Sequence, residues 1–460
     1  MQPGCKCPFF CILARNFGIR LSCKGDFTGN QLEDSKFMES DFTEVLDVAS
    51  EAGHILLENG AEISRVEDIM SRIASHFGVD SGNFFVLSNG IFTTGSGGKL
   101  KKKTGGQASS YANVEFIPIR SIQLSKVSAV NRLSYDIAAN RCSLAEAKRR
   151  LDSIRKAPAK PFWEQTLGSA LGAAGFCAVF GGGFMDCLAA FLVGLLLYIF
   201  VLGVSSRYLS KIVGGISNAL LATALCIIFY RLGLGSSLSN VIIGAIMPLI
   251  PGVPFVNGVR DLADSDYIAG ITRLTDAMLG FFCIALGVSV AFLLDGWAFG
   301  GVIELQGVLA SPQTAGLGWQ ALAAFVGTAA FAVLFGADRN CYVSAGIIGA
   351  IGWVCYLLLV RCAAASAPVA TIAAAVLVCL LSRYAAVPFK CPSTVFLLCG
   401  IFPLVPGAGI FWFTYYLLSG TFQMSLSAGF MAAKVAIAIV LGIILGMELP
   451  QRLFSRRKRR

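Results

Sequence analysis

Two short motifs carry the clearest chemical signal in the chain. Pro248-Leu249-Ile250-Pro251-Gly252 and Pro403-Leu404-Val405-Pro406-Gly407 stand 155 residues apart, each inside an apolar stretch. A proline within a helix removes a backbone N–H and clashes with the carbonyl four residues earlier. The expected result is a broken helix at each motif. The first break would release the carbonyls of Gly244 and Met247, and through Pro254 that of Ile250; the second would release those of Cys399 and Phe402. Released carbonyls suit an ammonium group. A helix restarting after the break offers bare N–H groups and a positive dipole end, which suit a carboxylate. One broken helix could hold both ends of a zwitterion, and a plain proline kink is the alternative. Candidate solute-binding positions are therefore Gly244, Met247, Pro248, Pro251, Gly252, Cys399, Phe402, Pro403, Pro406 and Gly407. Ser217, Asn218, Asn257, Ser393 and Thr394 are polar contacts near the breaks.

Ionisable residues follow the first break. Asp261 is the preferred proton-linked carboxylate, with Arg260 beside it and Lys434 inside a later apolar stretch. A lysine there either serves function or snorkels to the interface. Asp264, Asp266, Asp276 and Arg273 surround the same loop and read as solvated groups whose ion pairs would be weak. Glu51, His54 and Glu58 share a helix face and resemble half of a di-metal site. Such a site needs a second Glu-x-x-His, and the chain has only His54 and His76, so a solvated polar face is expected and no metal or cofactor. Of 15 cysteines, ten lie in apolar sequence as small fillers; Cys5, Cys7, Cys11 and Cys23 fit no common zinc spacing. Lys103-Thr104 lacks the glycine a phosphate loop needs before its lysine, so Gly95–Ser110 reads as a mobile basic loop suited to anionic headgroups.

The elements that must position these residues come from composition. The first 161 of 460 residues hold 38 charged side chains, whereas the next 289 hold 20. A soluble-type segment thus precedes a membrane-type segment, which excludes a wholly soluble enzyme, a disordered chain and a secreted disulfide scaffold. The net charge of +10 sits largely where it orients membrane helices and in the basic end of the chain, so nucleic acid is not expected as a partner. Phe9–Leu13 is too short for a signal-peptide core. Residues 1–40 read as poorly ordered. Residues 41–157 read as a small cytoplasmic α/β domain. Val45, Val48, Ala52, Ile55 and Leu56 mark a helix up to Asn59-Gly60, and Ser64-Arg65-Val66-Glu67 reads as the capping box of the next. Phe84–Thr94 and Asn113–Ile119 read as strands. Ser125–Asn140 and Ser143–Arg155 read as helices, the latter opened by a Ser143–Glu146 box.

Ten apolar stretches follow: 165–183, 186–205, 212–230, 239–256, 276–294, 319–336, 341–360, 366–382, 393–417 and 427–447. With the N-terminal domain inside, the inner loops hold Arg207, Lys211, Arg260, Arg273, Arg339, Arg383 and Lys390; the outer loops hold Arg231 and Arg361. That bias satisfies the positive-inside rule. Arg231 and Arg383 repeat at an offset of 152, and Arg207 and Arg361 at 154. Five spans per repeat is odd, so the halves must be inverted, a plan common in secondary transporters. The expected architecture is an all-α membrane domain in two five-helix repeats, 162–296 and 319–450, joined by a loop at 297–318 and followed by a basic cytoplasmic tail, 451–460. Both termini would be cytoplasmic.

Ala49-Ser50-Glu51-Ala52-Gly53, Leu57-Glu58-Asn59-Gly60-Ala61-Glu62 and Arg65-Val66-Glu67-Asp68 resemble the start of the threonine/serine exporter family. So do Pro251-Gly252-Val253-Pro254, Asn257-Gly258-Val259-Arg260-Asp261-Leu262 and Gly270-Ile271-Thr272-Arg273. Cys391-Pro392-Ser393 and the second proline motif resemble the family's smaller partner component, so the two components look fused over about residues 41–447. The resemblance implies an inner-membrane exporter of small hydrophilic metabolites driven by an ion gradient, with threonine and serine as the name-giving solutes. Succinate export by related two-component systems keeps a dicarboxylate open. Glu62, Arg65 and Glu67 fall in the matched motif, where a gating or docking role joins the local reading of Glu67 as a cap and Arg65 as a partner of Glu62. The transport direction follows from the resemblance alone. Expected partners are a small solute and membrane lipid, with homo-oligomerisation left open. A membrane-tethered enzyme or sensor acting through the N-terminal domain, and a passive channel, are the contrasting classes.

Overall fold

The computed structural model describes residues 29–79, 82–96, 110–117, 122–299 and 316–449. The cysteine cluster at 5–23, the lysines around 103, most of the 297–318 connection and the basic tail lie outside the described residues.

The N-terminal part contains α1 (Gly29–Glu58), α2 (Ile63–His76), β1 (Asn83–Leu87), β2 (Gly90–Ser96), β3 (Ser110–Phe116), α3 (Leu124–Ala138) and α4 (Leu144–Lys156). Helix α1 starts at Gly29, earlier than the pattern from Asp41, and stops at Gly60, whose φ of +84° favours glycine. Its apolar face packs Ala52, Ile55 and Leu56 against Val66, Ile69, Met70 and Ile73 of α2, with Val130, Leu133 and Ile137 of α3. The single strand expected at Phe84–Thr94 is instead a hairpin. β1 and β2 pair antiparallel around Ser88-Asn89, and Phe92 lies opposite both Phe85 and Val114 in the sheet β1-β2-β3. Gly90 fits there because a Cβ would come 2.9 Å from the Glu115 carbonyl. The capping box at Ser64 also differs. Helix α2 begins at Ile63 with Glu62 as its N-cap residue, and Glu67 turns away to accept the Val86 N–H at 3.1 Å. The Ser143 hydroxyl accepts the Glu146 N–H, as its box requires. His54 pairs with Glu115 at 3.1 Å and Glu51 with Arg155 at 2.9 Å, so this polar face is engaged with its neighbours.

The membrane part runs α5 (Phe162–Val179), α6 (Phe184–Tyr208, its last turns wound as a π-helix at Val201–Ser205), α7 (Lys211–Arg231), α8 (Leu238–Ile246), α9 (Gly252–Ala263) and α10 (Tyr267–Phe299). It continues with α11 (Leu317–Leu334), α12 (Tyr342–Cys362), α13 (Ala367–Phe389), α14 (Ser393–Gly400), α15 (Gly407–Leu418) and α16 (Phe422–Glu448). Among the described residues seven helices are long and apolar enough to cross a bilayer, and up to nine if each of two bent pairs, 238–263 and 393–418, counts as one span. The expectation was ten. The helix at the place of the first span, α5, opens on Trp163-Glu164-Gln165-Thr166 and is rich in glycine and alanine. Its buried residues face protein: a Cβ on Gly175 would lie 2.7 Å from the Gly327 nitrogen and 2.9 Å from its Cα, so α5 and α11 touch backbone to backbone. Such crossings through small residues are how membrane helices approach closely. Elsewhere leucines and phenylalanines such as Leu196, Phe282, Leu293 and Leu445 point outward, as lipid contact requires.

The two halves are built alike. In each, the third helix packs along the fifth, α7 with α10 and α13 with α16. Arg231 closes α7 and grips Asp295 near the end of α10 through two bonds of 2.8 and 2.9 Å. Arg383, near the end of α13, donates to the carbonyls of Gly446 and Met447 at the end of α16 at 2.7 and 3.1 Å. The N-terminal part docks on one end of the bundle: Leu124 and Ser125 donate to the carbonyls of Phe335 and Gly336, and Arg132 pairs with Asp338 at 3.0 Å.

Replacing Gly175 by Ala is expected to destabilise the protein by about 1–3 kcal/mol, because backbone on both sides cannot yield. Gly318→Ala meets open space and should leave the melting temperature unchanged. Thermal unfolding of both variants in detergent checks this.

Candidate functional site

Both proline motifs fold the same way. Met247–Leu249 and Phe402–Leu404 wind into single 3₁₀ turns. Ile250 and Val405, each before a proline, are extended with ψ of 126° and 133°. Pro251 (φ −77°, ψ 55°) and Pro406 (φ −76°, ψ 47°) each sit at the centre of a tight turn. Gly252 and Gly407 donate back to the Ile250 and Val405 carbonyls at 2.8 and 2.7 Å. This is the inverse γ-turn geometry. A new helix then starts, bent by 60° at the first break and 42° at the second.

The expected set of released carbonyls is corrected by these turns. Met247 O accepts from Ile250, Ile250 O from Gly252 and Phe402 O from Val405. Gly244 O accepts from Met247, and Cys399 O from Ile401. Each keeps a second lone pair, so the breaks are closed locally but not saturated. Gly244 serves packing: a Cβ there would lie 2.5 Å from the Ala173 carbonyl and 2.8 Å from the Cys177 nitrogen of α5.

The two breaks cross each other. A Cβ on Gly252 would lie 2.5 Å from the tip of the Phe402 ring, and one on Gly407 would lie 2.8 Å from the Met247 sulfur and 2.7 Å from Ile250. Phe402 is held in turn by Phe331 and Phe335, with ring centroids 4.5 and 5.2 Å away. In this conformation the crossing is filled by side chains. On α7, the buried Asn218 Oδ1 and Thr223 Oγ1 have no hydrogen-bond partner among the described residues, whereas Ser217 is only half-buried. Lys434 is exposed on α16, which favours its snorkelling alternative.

The remaining candidates converge on a charged cluster where the N-terminal part meets the bundle. The Gly60-Ala61-Glu62 loop between α1 and α2 enters between α9, α10 and α14. Asn257 donates to Gly60 O at 2.9 Å, Arg273 to Ala61 O at 3.0 Å, and the Ile63 N–H to Asp261 at 3.4 Å. Glu62, 1% exposed, pairs with Arg260 of α9 and with Arg65 at 2.5 Å; Thr394, in the first turn of α14, lies 3.5 Å from the same carboxylate. Asp261 pairs with Arg273 at 2.8 Å, and both are buried. Ser64 donates to Asp264 at 2.9 Å. The expected solvated loop is thus, at Arg260, Asp261 and Arg273, an interior ion network. Arg273, expected among the solvated groups, is buried here; its signal in the sequence is its place in the motif Gly270-Ile271-Thr272-Arg273, two turns into α10. Ser393 is half-buried beside Thr394.

Burial pushes the Glu62 carboxyl up, but the guanidinium groups of Arg260 and Arg65 more than offset it and hold it below the ordinary carboxylate range. Glu67 goes the other way: its burial outweighs the Val86 N–H and raises it. A depressed carboxyl contributes stability that is complete above its unfolded value and is lost as pH falls through the lower folded value. The melting temperature should therefore fall more steeply as pH drops below about 5 in wild type than in Glu62→Gln, measured in parallel thermal scans between about pH 5 and about pH 3.

A family model described as "Putative threonine/serine exporter" matches residues 47–294, and one described as "Threonine/Serine exporter, ThrE" matches residues 320–448. A "Threonine/serine exporter" of Corynebacterium glutamicum is 24% identical over 422 residues, covering 89% of this chain and 83% of its own. A "Probable succinate transporter subunit YjjP" of Klebsiella aerogenes is 26% identical over 250 residues, 53% of this chain and 92% of its own. A "Probable threonine/serine exporter" of Mycobacterium tuberculosis is 26% identical over 343 residues, 71% of this chain and 63% of its own. No solved structure matches. The first family match ends with α10 and the second begins with α11, one match to each half of the bundle. The chain belongs to the threonine/serine exporter family of multi-pass membrane transporters, with two components fused in one polypeptide.

Proposed function

We propose that the protein is a secondary transporter that exports small hydrophilic amino acids of the threonine/serine type across the cytoplasmic membrane, coupled to proton entry. The observation that carries this reading is the crossing of two like-built broken helices, one from each half, with Phe402 on Gly252 and Met247 on Gly407. Irregular backbone at membrane depth is tolerated where it faces protein or a solute path. Two such breaks that touch can part to either side of the membrane in turn. In this reading 162–296 and 319–450 are inverted repeats, and the matching arginine clasps of Arg231 and Arg383 support that. The domain at 41–157 and both termini lie in the cytoplasm; the position of Arg260, Arg273 and Arg339 at the end of the bundle that meets the N-terminal part supports this.

Asp261 is the proposed proton carrier. Its negative charge holds Arg273 and the Ile63 amide together, so protonation loosens the start of α10 and the loop at once. Succinate-type dicarboxylates are the second reading, supported by the Klebsiella relative and by a buried arginine suited to carboxylate.

Counterflow in proteoliposomes tests both. Trans-stimulated exchange of threonine or serine that exceeds succinate is expected; dominant succinate exchange selects the second reading, and no exchange of any of them overturns transport. Gly252→Val drives a branched side chain into the Phe402 ring and should slow exchange about tenfold or more while the protein still folds.

A further inference from the structure

The membrane helices bring three charges to the cluster: Arg260, Asp261 and Arg273. Asp261 is committed to Arg273. Arg260 is 8% exposed, and among the described residues its carboxylate partner is Glu62, delivered by the N-terminal part. Its Nε is buried and has no hydrogen-bond partner among the described residues. Without the Glu62 loop the membrane half would hold two guanidiniums against one carboxylate, a net positive pocket out of water, which demands an anion. The groups around the Glu62 carboxylate come from both broken spans: a guanidinium on α9 and the Thr394 hydroxyl in the first turn of α14, where amide N–H groups lack helical partners. A guanidinium, a hydroxyl and a helix start are the groups that recognise a free carboxylate.

We propose that Arg260 and Thr394 form a carboxylate-recognition site on the face of the bundle that meets the N-terminal part, and that Glu62 occupies it as a built-in stand-in which an incoming solute carboxylate displaces. The ligand class is a small organic carboxylate, either the α-carboxylate of an amino acid or one end of a dicarboxylate. This inference rests on the transport reading. From Arg260 to Gly252, and from Thr394 to Phe402, eight helical residues span about 12 Å. The site is therefore a vestibule ahead of the crossing rather than the crossing itself. The loop is clasped by Asn257 to Gly60 and by Arg273 to Ala61, so solute binds only to the fraction of molecules with the clasp open, and apparent affinity is reduced by that fraction.

The test uses the full chain in nanodiscs, with equilibrium binding of radiolabelled L-threonine and of succinate, and L-threoninamide as a probe lacking the carboxylate. Glu62→Gln is expected to bind the carboxylate-bearing solute that wild type binds about tenfold tighter, with threoninamide unaffected. Asn257→Ala, which opens the clasp without touching charge, should tighten binding in the same direction and covers the case in which Glu62→Gln fails to fold. Arg260→Gln should weaken binding of the acid at least about tenfold and Arg260→Lys should restore part of it. Unchanged or weaker binding in folded Glu62→Gln or Asn257→Ala, or an equal gain for threoninamide, overturns the stand-in. If wild type exchanges solute in proteoliposomes while these variants show no such gain, the inference falls and the transport reading stands. If wild type neither exchanges nor binds any of these solutes, both fall.

Discussion

A buried guanidinium has to find a negative charge, and Arg260 finds it on a different part of the chain. Removing one partner from a buried ion pair typically costs about 3–5 kcal/mol, because the other is left uncompensated. That cost ties the Gly60–Glu62 loop to α9, and through Asn257 and Arg273 it ties the same loop to two membrane helices. The N-terminal part is therefore no loosely tethered accessory. It supplies a charge that the mouth of the membrane domain lacks, and its own helix α2 starts at the residue that supplies it.

The second constraint is the backbone accounting at the breaks. In hydrocarbon an unsatisfied amide or carbonyl costs several kcal/mol. Each Pro-Leu-x-Pro-Gly motif meets that constraint with a 3₁₀ turn followed by a γ-turn, so every carbonyl the prolines would orphan is used once within the turn. The glycine after each second proline has a separate role: it leaves room for the other half. Local bonding and long-range packing are thus satisfied by the same five residues, in two places.

Much of this was legible in the sequence. Long apolar runs disclose membrane helices because lipid leaves the backbone few alternatives, and paired prolines disclose breaks because the steric clash is local. Helix α5 was harder to weigh, since it buries glycine and alanine against α11 rather than leucine against lipid. The hairpin at Ser88-Asn89 was readable from Asn89-Gly90, a strong turn signal, but the apolar run around it masked the turn. The ion network was not legible. Glu62 and Arg260 are almost 200 residues apart, and their meeting depends on how the N-terminal part docks on the bundle. Spacing alone made Arg273 look like a surface charge.

The seal between the halves is formed by unlike materials. On one side stands a phenyl ring wedged among Phe331 and Phe335, which cannot turn without moving them; on the other stands the thioether of Met247, with three rotatable bonds and a soft, polarisable tip. One jaw is stiff and the other compliant. In the transport cycle proposed above, parting begins at the methionine, so the crossing opens first around Gly407 and only later around Gly252. Met247 and Phe402 hold equivalent places ahead of the two proline motifs, so one residue in each half decides which jaw is stiff and which is compliant.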